Sequence, residues 1–337
     1  MEAQCKGSLA DTITLQDILD AKKRIAPYVR KTPLLPFHAS WDGDATETKE
    51  IFLKLENLHP IGCFKLRGAC NAIRLLSPEQ LHKGIYTASA GNFAQALSWS
   101  ARMYDVRCDV IVPDHAPQAK LRPTLELGGH VTKVPFDTWW RVITEHKYEG
   151  MAGTFIHPVS DPAVIAGNGT AGLEILDDLP DVDTVIVPYG GGGLSCGIAL
   201  AIKLQKPKVK VFACEVETAA PVKASFDAGK PVKFDYKASF VDGIGGKSVL
   251  DEMWPLVHTM LDGSIVVTLK QVAEALKLMV ERSHVVAEGA GAAALAAAAM
   301  TGEAGGGKVV CVISGGNIDT NKLVQVLQGD IPESGSH

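Results

Sequence analysis

The chain contains the segment Gly62-Cys63-Phe64-Lys65-Leu66-Arg67-Gly68-Ala69, directly after the strand-like run Ile51-Phe52-Leu53-Lys54-Leu55. Lys65 has an apolar neighbour on each side, and desolvation by such neighbours lowers the pKa of an amine. A neutral lysine can attack an aldehyde and form an imine. Lys54 competes for this role, but strand alternation predicts that its side chain points outward. Lys65 is therefore the first candidate catalytic residue.

A second segment, Gly190-Gly191-Gly192-Gly193-Leu194, follows the predicted strand Thr184–Pro188. Four consecutive glycines weaken any helix or strand, because each loses much conformational entropy on folding, so they indicate close approach of backbone to a ligand. A helix predicted over residues 195–204 begins at this loop, and its N-terminus favours a phosphate. Pyridoxal 5'-phosphate needs both an imine-forming lysine and a phosphate loop. The pair of segments predicts an enzyme that uses this cofactor.

Size and composition exclude several classes of protein. The 337 residues are enough for two domains that share one cleft, and the net charge of -5 gives no basic surface for nucleic acid. No apolar window reaches the length of a membrane span, and the N-terminus is not a signal peptide. The seven cysteines and ten histidines show neither zinc spacing nor a C-x-x-C pair. We expect a cytoplasmic protein with reduced thiols, no metal site, and neither nucleic-acid nor membrane partners.

Short β-branched runs alternate with helical patterns, which predicts an α/β fold of parallel-rich sheets covered by helices on both faces. Ligands bind at the carboxyl ends of such strands. Four turns rich in glycine or serine are predicted at these ends, at residues 89–92, 167–170, 190–194 and 314–317. In the last of them, the Ser314 hydroxyl can hydrogen-bond a pyridine nitrogen without protonating it. The resulting weak electron sink favours rapid loss of a β-leaving group over racemisation.

One motif supports a different class. Gly167-Asn168-Gly169-Thr170-Ala171-Gly172 fits the dinucleotide-binding pattern G-x-G-x-x-G. The preceding residues include Pro162 and do not form a clean strand, as that fold requires. A nicotinamide-dependent oxidoreductase is therefore the weaker alternative.

Together these motifs resemble the serine/threonine dehydratase group of fold-type II pyridoxal-phosphate enzymes, which includes threonine dehydratases and serine racemase. The resemblance covers residues 13–327, and its motifs lie at residues 62–68, 89–92, 166–170, 190–194 and 314–317. It implies a two-lobed fold like that of tryptophan synthase β. Residues 1–83 and 161–330 would form a large cofactor-binding domain, residues 84–160 a small mobile domain, and residues 331–337 a tail typical of a tag remnant.

The resemblance also assigns roles to residues. Lys65 would hold the cofactor as a Schiff base and move the Cα proton, with Ser89 as a second catalytic residue. The cofactor-binding residues would be Phe64, Lys65, Asn92, Gly190, Gly191, Gly192, Gly193, Leu194 and Ser314. The substrate-binding residues would be Ser89, Ala90, Gly91, Asn92 and Phe93. Phe64 would flank the ring, Asn92 would bond its 3-hydroxyl, and Ser314 would face its nitrogen.

Departures from the family pattern refine this expectation. Ala90 replaces a serine that racemases of the group use as acid and base, so elimination is favoured. Phe93 stands where histidine is common, and Trp139-Trp140 is expected near the rim of the pocket. These aromatic residues predict a bulkier side-chain pocket, although ordinary helix packing explains them equally well. A family cation site would use Glu215, but Pro221 occupies its second acidic position, so no structural cation is expected.

The sequence thus predicts α,β-elimination of a β-hydroxy-α-amino acid to a 2-oxo acid and ammonia. The substrate would be of the threonine or serine type, or bulkier, such as phenylserine. A β-replacement enzyme of the same fold, like cysteine synthase, is the nearest alternative, and a non-catalytic cofactor-binding protein is another. The expected partner is a small amino acid, and the expected assembly is a homodimer or homotetramer.

Overall fold

The computed structural model describes residues 9–38 and 49–333, in which helices and strands alternate. The helices are α1 Leu9–Thr12, α2 Leu15–Ile25, α3 Lys65–Arg74, α4 Pro78–Lys83, α5 Asn92–Met103, α6 Gln118–Glu126, α7 Phe136–Glu145, α8 Pro162–Asp178, α9 Gly193–Lys203, α10 Pro221–Ala228, α11 Trp254–Met260, α12 Leu269–Leu278, α13 Gly289–Met300 and α14 Thr320–Gln328. The strands are β1 Leu34–Pro36, β2 Lys49–Lys54, β3 Ile85–Ala88, β4 Cys108–Pro113, β5 His130–Val134, β6 Thr154–Phe155, β7 Thr184–Pro188, β8 Lys210–Val216, β9 Gly263–Val267 and β10 Gly307–Val312. Cys5 and the last four residues of the predicted tail lie outside the described residues.

The larger sheet has the strand order β1-β2-β10-β7-β8-β9. Its neighbours are parallel except at the edge, where β1 pairs antiparallel with β2. The strand β7 is buried at every position, as expected for a parallel strand covered on both faces. Because β10 pairs with β7 in parallel, both strands end at the same edge of the sheet. This pairing brings residues 190–194 and 314–317 to one place.

The smaller sheet has the order β5-β4-β3-β6, and all of its strands are parallel. Its strands come from one continuous stretch of chain, residues 85–155, whereas strands of the larger sheet come from both sides of that stretch. The helix α3 precedes this stretch, yet its apolar residues share a core with β3, β4 and α5. Thus α3, which begins at Lys65, contacts elements of the smaller sheet.

The glycine pattern of residues 167–172 lies in the middle of α8, not in a turn between a strand and a helix. A Cβ on Gly167 would lie 2.5 Å from the carbonyl oxygen of Arg67, in α3. A Cβ on Gly169 would lie 2.8 Å from the carbonyl oxygen of Gly197, in α9. These glycines let three helices pack closely, so the pattern does not support nucleotide binding.

The prediction that the Lys54 side chain points outward is wrong, because the side chain is fully buried. Its Nζ donates to Oε2 of Glu174 at 2.6 Å and to the carbonyl oxygen of Thr32 at 2.8 Å. Strand alternation fails here because the face on which the Lys54 side chain lies is covered by α8, whose Glu174 accepts the hydrogen bond from the amine. Burial lowers the pKa of Lys54, but the amine already donates to Glu174 and Thr32, so it has a structural role.

Two further findings concern the described residues as a whole. The helices within residues 9–38 and 49–333 include none with the length and apolar character needed to cross a bilayer. The cysteines in the same part of the chain are buried free thiols, at positions 63, 70, 108, 196, 214 and 311.

Candidate active site

A cavity of about 220 Å³ lies where β7 and β10 end. Every predicted site residue lines it except Ala90. Ala90 instead packs, half-buried, against the apolar core that contains Phe93. The fold therefore brings together residues from four separate turns of the chain.

The turn before α3 positions Lys65. Its backbone is joined to the turn after β10, because the N–H of Phe64 donates to the carbonyl oxygen of Ser314 at 3.0 Å. Cys63 and Gly315 form an isolated antiparallel bridge beside this bond. Lys65 and Ser314 are thereby held at one end of the cavity by main-chain contacts, which leaves both side chains free for a ligand.

The Lys65 amine lies between aromatic rings. Its Nζ is 4.8 Å from the centroid of Phe64 and 5.8 Å from that of Phe93. Burial lowers its pKa, with Cys63 and Glu288 acting in the opposite direction. Burial also raises the pKa of Cys63 to about 12, so its thiol is neutral near pH 7 and does not offset the effect. The site therefore favours the neutral, nucleophilic form of Lys65.

The glycine loop joins β7 to the N-terminus of α9. Gly192 has φ of +101°, a conformation that favours glycine. A Cβ on Gly191 would lie 2.6 Å from the side chain of Val159, so packing also requires glycine there. The first N–H groups of α9 have no partner within the helix, and the helix dipole favours an anion beside them. This loop has the form of a phosphate site.

The prediction that Trp139-Trp140 lies at the rim of the pocket is wrong. Trp139 and Trp140 do not line the cavity. Trp139 packs against the core around Tyr86 and Ile111, while Trp140 is 45% exposed on the surface. Helix α7 packs on the smaller sheet, so Trp139 joins the core beside that sheet and not the cavity. Phe93 does line the cavity, so it alone retains the predicted influence on substrate size.

Sequence reasoning missed Glu288 as a site residue. Glu288 lines the cavity, and each of its carboxylate oxygens is 3.3 Å from Nδ2 of Asn92. Burial raises its pKa to about 7, and the hydrogen bond from Asn92 acts in the opposite direction. One signal was available, since Glu288 is the acidic residue directly before the wholly apolar helix α13. A charge in that place needs a functional or structural partner.

Other residues at the cavity were also missed. Asp242, Gly243 and Ile244 line it from an irregular segment that carries no sequence signal of a site. Asn317 belongs to a predicted turn, but its contact with Asn92 depends on the tertiary fold. Nδ2 of Asn317 donates to Oδ1 of Asn92 at 2.9 Å.

A buried ionic cluster supports α3. Arg67 donates to Glu56 at 2.6 Å and to Glu174 at 2.7 Å, and Lys54 shares Glu174. Burial acts to raise the pKa of Glu56, but the charges and hydrogen bonds of Arg67 and His59 together outweigh it and hold the pKa well below its usual range. The four charges balance, as buried charges must. Because Arg67 follows Lys65 by two residues, this cluster fixes the helix that carries the candidate catalytic amine.

His146, His157 and Glu252 come close enough to suggest a cation site, with their ligand atoms within 4.8 Å of one another. However, Nδ1 of His157 accepts the N–H groups of Val159 and Ser160, at 3.1 and 2.8 Å. The proton of the neutral ring must then sit on Nε2, which leaves no lone pair for a metal. The three residues do not form a suitable metal site.

Glu215, which the family pattern would use for a cation, is occupied by protein donors. Its carboxylate accepts the N–H groups of Val222 and Lys223 and the hydroxyl of Ser264. Burial raises its pKa to about 7, with the Ser264 hydroxyl acting in the opposite direction. These contacts give Glu215 a structural role between β8, β9 and α10.

The fold and the cavity together define a class of protein. Parallel sheets, a buried lysine of lowered pKa and a glycine loop at a helix N-terminus are the features of a fold-type II pyridoxal-phosphate enzyme. The residues present fit this cofactor, since an amine, a phosphate loop and a hydroxyl share one cavity. A family model described as pyridoxal-phosphate dependent enzyme matches residues 25–315. The chain belongs to this family, which confirms the predicted cofactor.

Known proteins agree with this assignment. L-threonine ammonia-lyase of Thermotoga maritima is 39% identical over 96% of this chain and 80% of its own length. L-threonine dehydratase catabolic TdcB of Staphylococcus aureus (strain USA300) is 35% identical over 95% of this chain and 93% of its own. The structure of maize serine racemase has a TM-score of 0.85 and 33% identity, covering 94% of this chain and 97% of its own. The predicted fold class is confirmed.

Proposed function

We propose that the chain is an ammonia-lyase that acts on β-hydroxy-α-amino acids of the threonine or serine type. The β-hydroxyl would leave as water, and water would be taken up again when the resulting imine hydrolyses and releases ammonia. The observation that carries the proposal is the buried Lys65 amine, of lowered pKa, in one cavity with the glycine loop and Ser314. The names of the relatives from Thermotoga maritima and Staphylococcus aureus support the same reaction. The products would be a 2-oxo acid and ammonia.

The bound cofactor supplies an electron sink for the electrons of the Cα–H bond. Lys65 would hold the cofactor, and its neutral amine would serve as the base that removes the Cα proton. Ser314 would hydrogen-bond the ring nitrogen without giving it a full proton, because a hydroxyl is a weak acid. The weak sink that results favours loss of the β-hydroxyl.

The start of α5 binds the substrate carboxylate in this proposal. Ser89 and Gly91 line the cavity directly before the helix, whose N-terminus favours an anion. A Cβ on Gly91 would meet nothing within 4 Å, so this turn leaves open space beside its backbone. Ser89 contributes a hydroxyl, and its catalytic role is part of the proposal.

The two lobes divide the work. Residues 1–83 and 161–330 would hold the cofactor, while residues 84–160 carry the carboxylate-binding turn. Movement of this small domain toward the glycine loop would exclude water from the reacting carbon. The packing of Val159 against Gly191 marks where the small domain meets the loop.

The primary test is chemical labelling of Lys65. Borohydride reduction of the cofactor-loaded protein, followed by peptide mapping, should label position 65. Replacing Lys65 by Ala should abolish the label and lower ammonia release by roughly 10³-fold or more. Lys270→Ala is the control, since that side chain is 74% exposed. Undiminished ammonia release from Lys65→Ala would refute the proposal.

The side chain of the substrate is open to a second test. Phe93 gives the cavity an apolar aromatic wall, which supports phenylserine as a substrate beside threonine and serine. A panel of serine, threonine, phenylserine and hydroxyaspartate should release 2-oxo acid, with the apolar members favoured. Adding sulfide should not divert the product, whereas a thioether or thiol amino-acid product would indicate a β-replacement enzyme.

Assembly and location complete the proposal. Leu58 and Val286 are 57% and 44% exposed, and Asn57 bonds the carbonyl oxygen of Val286 at 2.9 Å, so these apolar side chains lie in one region. Such exposure supports a homodimer or homotetramer, which light scattering can measure. The free buried thiols support a cytoplasmic location.

A further inference from the structure

Asn92 is held at both ends of its side-chain amide. Its Nδ2 lies 3.3 Å from each carboxylate oxygen of Glu288, and its Oδ1 lies 2.9 Å from Nδ2 of Asn317. Both Asn92 and Glu288 line the cavity. Because each end has a partner, the amide cannot turn over without losing hydrogen bonds on both sides.

The direction of the Asn92 amide follows from one backbone carbonyl. The oxygen of Ile61 can only accept, so the Asn317 atom 2.9 Å from it must be the amide nitrogen. That nitrogen also faces Asn92, which must therefore present its oxygen. The Asn92 nitrogen then faces Glu288, whose carboxylate accepts. The chain of contacts is consistent with only this orientation of the two amides.

Two glycines make room for the partners of Asn92. Gly62 has φ of +71°, and a Cβ there would lie 2.4 Å from Oδ1 of Asn317. A Cβ on Gly315 would lie 2.4 Å from Oε1 of Glu288. The same turns are joined by backbone, since Gly316 donates to the carbonyl oxygen of Gly62 at 2.8 Å. Glycine at positions 62 and 315 thus leaves space for Asn317 and Glu288 beside the turns that position Lys65.

We propose that Glu288 and Asn317 are positioning residues that fix Asn92 so that an N–H, and never its carbonyl, faces the cofactor. The inference rests on the proposed function and on the contact between Asn92 and the ring hydroxyl of pyridoxal phosphate that the family resemblance predicts. The two oxygens of Glu288 are equally distant from Nδ2, so one N–H serves both and the second is left for the cavity. An N–H donor stabilises the ionised ring oxygen, whereas a carbonyl would favour its protonated form.

The decisive variant is Asn317→Asp, which keeps the size of the side chain but puts an acceptor where the nitrogen was. The Asn92 nitrogen is then attracted to the new acceptor at position 317 as well as to Glu288, so the amide is no longer fixed in one orientation and its carbonyl can face the cavity. We expect the visible spectrum of the bound cofactor to change, with the ratio of ionised to protonated ring-oxygen form falling about tenfold at fixed pH. The control is Asn321→Asp, the same change at an exposed position at the start of α14, which should leave the ratio unaltered.

A second variant is needed if Asn317→Asp does not bind the cofactor. Glu288→Ala removes one partner and frees the amide, so the ratio should fall by about threefold. An unchanged ratio in every variant that retains cofactor would overturn the inference. Borohydride labelling separates this failure from failure of the proposed function. A label on Lys65 with an unchanged ratio refutes only the roles of Glu288 and Asn317, whereas an unlabelled wild-type protein refutes the proposed function itself.

Discussion

His157 is a histidine that the fold keeps neutral. Its side chain is buried, and its Nδ1 accepts two backbone N–H groups in the turn that packs against the glycine loop. Burial lowers its pKa from 6.5 to about 3, and the His146 ring, 4.5 Å away between centroids, and the Lys65 charge act in the same direction. A proton on Nδ1 would remove the acceptor of both hydrogen bonds, so protonation of His157 would break the contacts that form this turn.

The lowered pKa of His157 predicts acid sensitivity. Because the folded pKa lies below the unfolded value, the stabilising effect is complete above pH 6.5 and is lost as the pH falls toward 3. The loss amounts to at most about 5 kcal/mol. His157→Asn retains an acceptor near the place of Nδ1 but does not titrate. We expect the free energy of unfolding of this variant, measured in urea from pH 7 to pH 4, to fall less steeply than that of wild type.

The control for this experiment is His115→Asn, since the His115 side chain is 60% exposed. Its pH profile should follow wild type. Equal slopes for wild type and His157→Asn would show that His157 does not contribute to acid unfolding.

At the scale of single elements, α8 depends on glycine for its place against α3. The Cβ of Gly167→Ala would lie 2.5 Å from the backbone oxygen of Arg67, which cannot rotate away. Alanine gains about 1 kcal/mol in helix propensity, but the overpacking costs about 1–3 kcal/mol and shifts the helix that carries Lys65. We expect a net loss of stability in denaturant unfolding, together with weaker cofactor binding. Gly302→Ala, where a Cβ meets nothing within 4 Å, should change neither quantity.

The ionic cluster joins β2 to α8 and α3, and it makes a separate prediction. Lys54→Met leaves Glu174 with Arg67 as its charged partner, so we expect a loss of about 3 kcal/mol in the free energy of unfolding. Lys54→Met with Glu174→Gln should lose less than the sum of the single variants, because the buried unpaired charge is gone. A urea double-mutant cycle measures this coupling. Additive losses would mean that the two side chains do not interact energetically.

Elements of this fold differ in how far the sequence predicts them. The bounds predicted for β7, Thr184–Pro188, agree with the structure, because an apolar run between polar residues and glycines carries a local signal. The helix predicted over residues 195–204 begins two residues earlier, at Gly193, because glycine carries no local helix signal. Lys54 was predicted to point outward, since the burial of its side chain depends on Glu174 of α8, 120 positions away in the chain.

The candidate site shows the same division. Lys65, the glycine loop and Ser314 belong to local motifs with their own chemical logic, and the cavity contains them all. Glu288 and Asp242 reach the cavity only through tertiary packing, and neither belongs to a motif that points to this site. The contact of Asn92 with Asn317, 225 positions apart in the chain, illustrates why. Motifs predict chemistry, whereas the groups that orient the motifs depend on the assembled fold.

At the scale of the whole molecule, an ion pair links the two proposed lobes at the cavity. Lys120 belongs to α6, in the proposed small lobe, and its Nζ lies 2.9 Å from Oδ2 of Asp242. Asp242 belongs to the proposed large lobe and lines the cavity. The side chains are 45% and 44% exposed, so the pair is worth less than about 1 kcal/mol and is screened by salt. An attraction of this size is suited to biasing a closing movement without locking it.

Removal of this pair should therefore weaken closure over the substrate. We expect Lys120→Ala to raise KM by up to about fivefold at low salt with little change in kcat, and the difference from wild type to shrink in high salt. Arg122→Ala is the matched control, because Arg122 lies in the same helix but pairs with Glu126 one turn away, within α6. The control should keep the wild-type KM at every salt concentration. If both variants changed KM equally, the effect would come from net charge and not from the contact between the lobes.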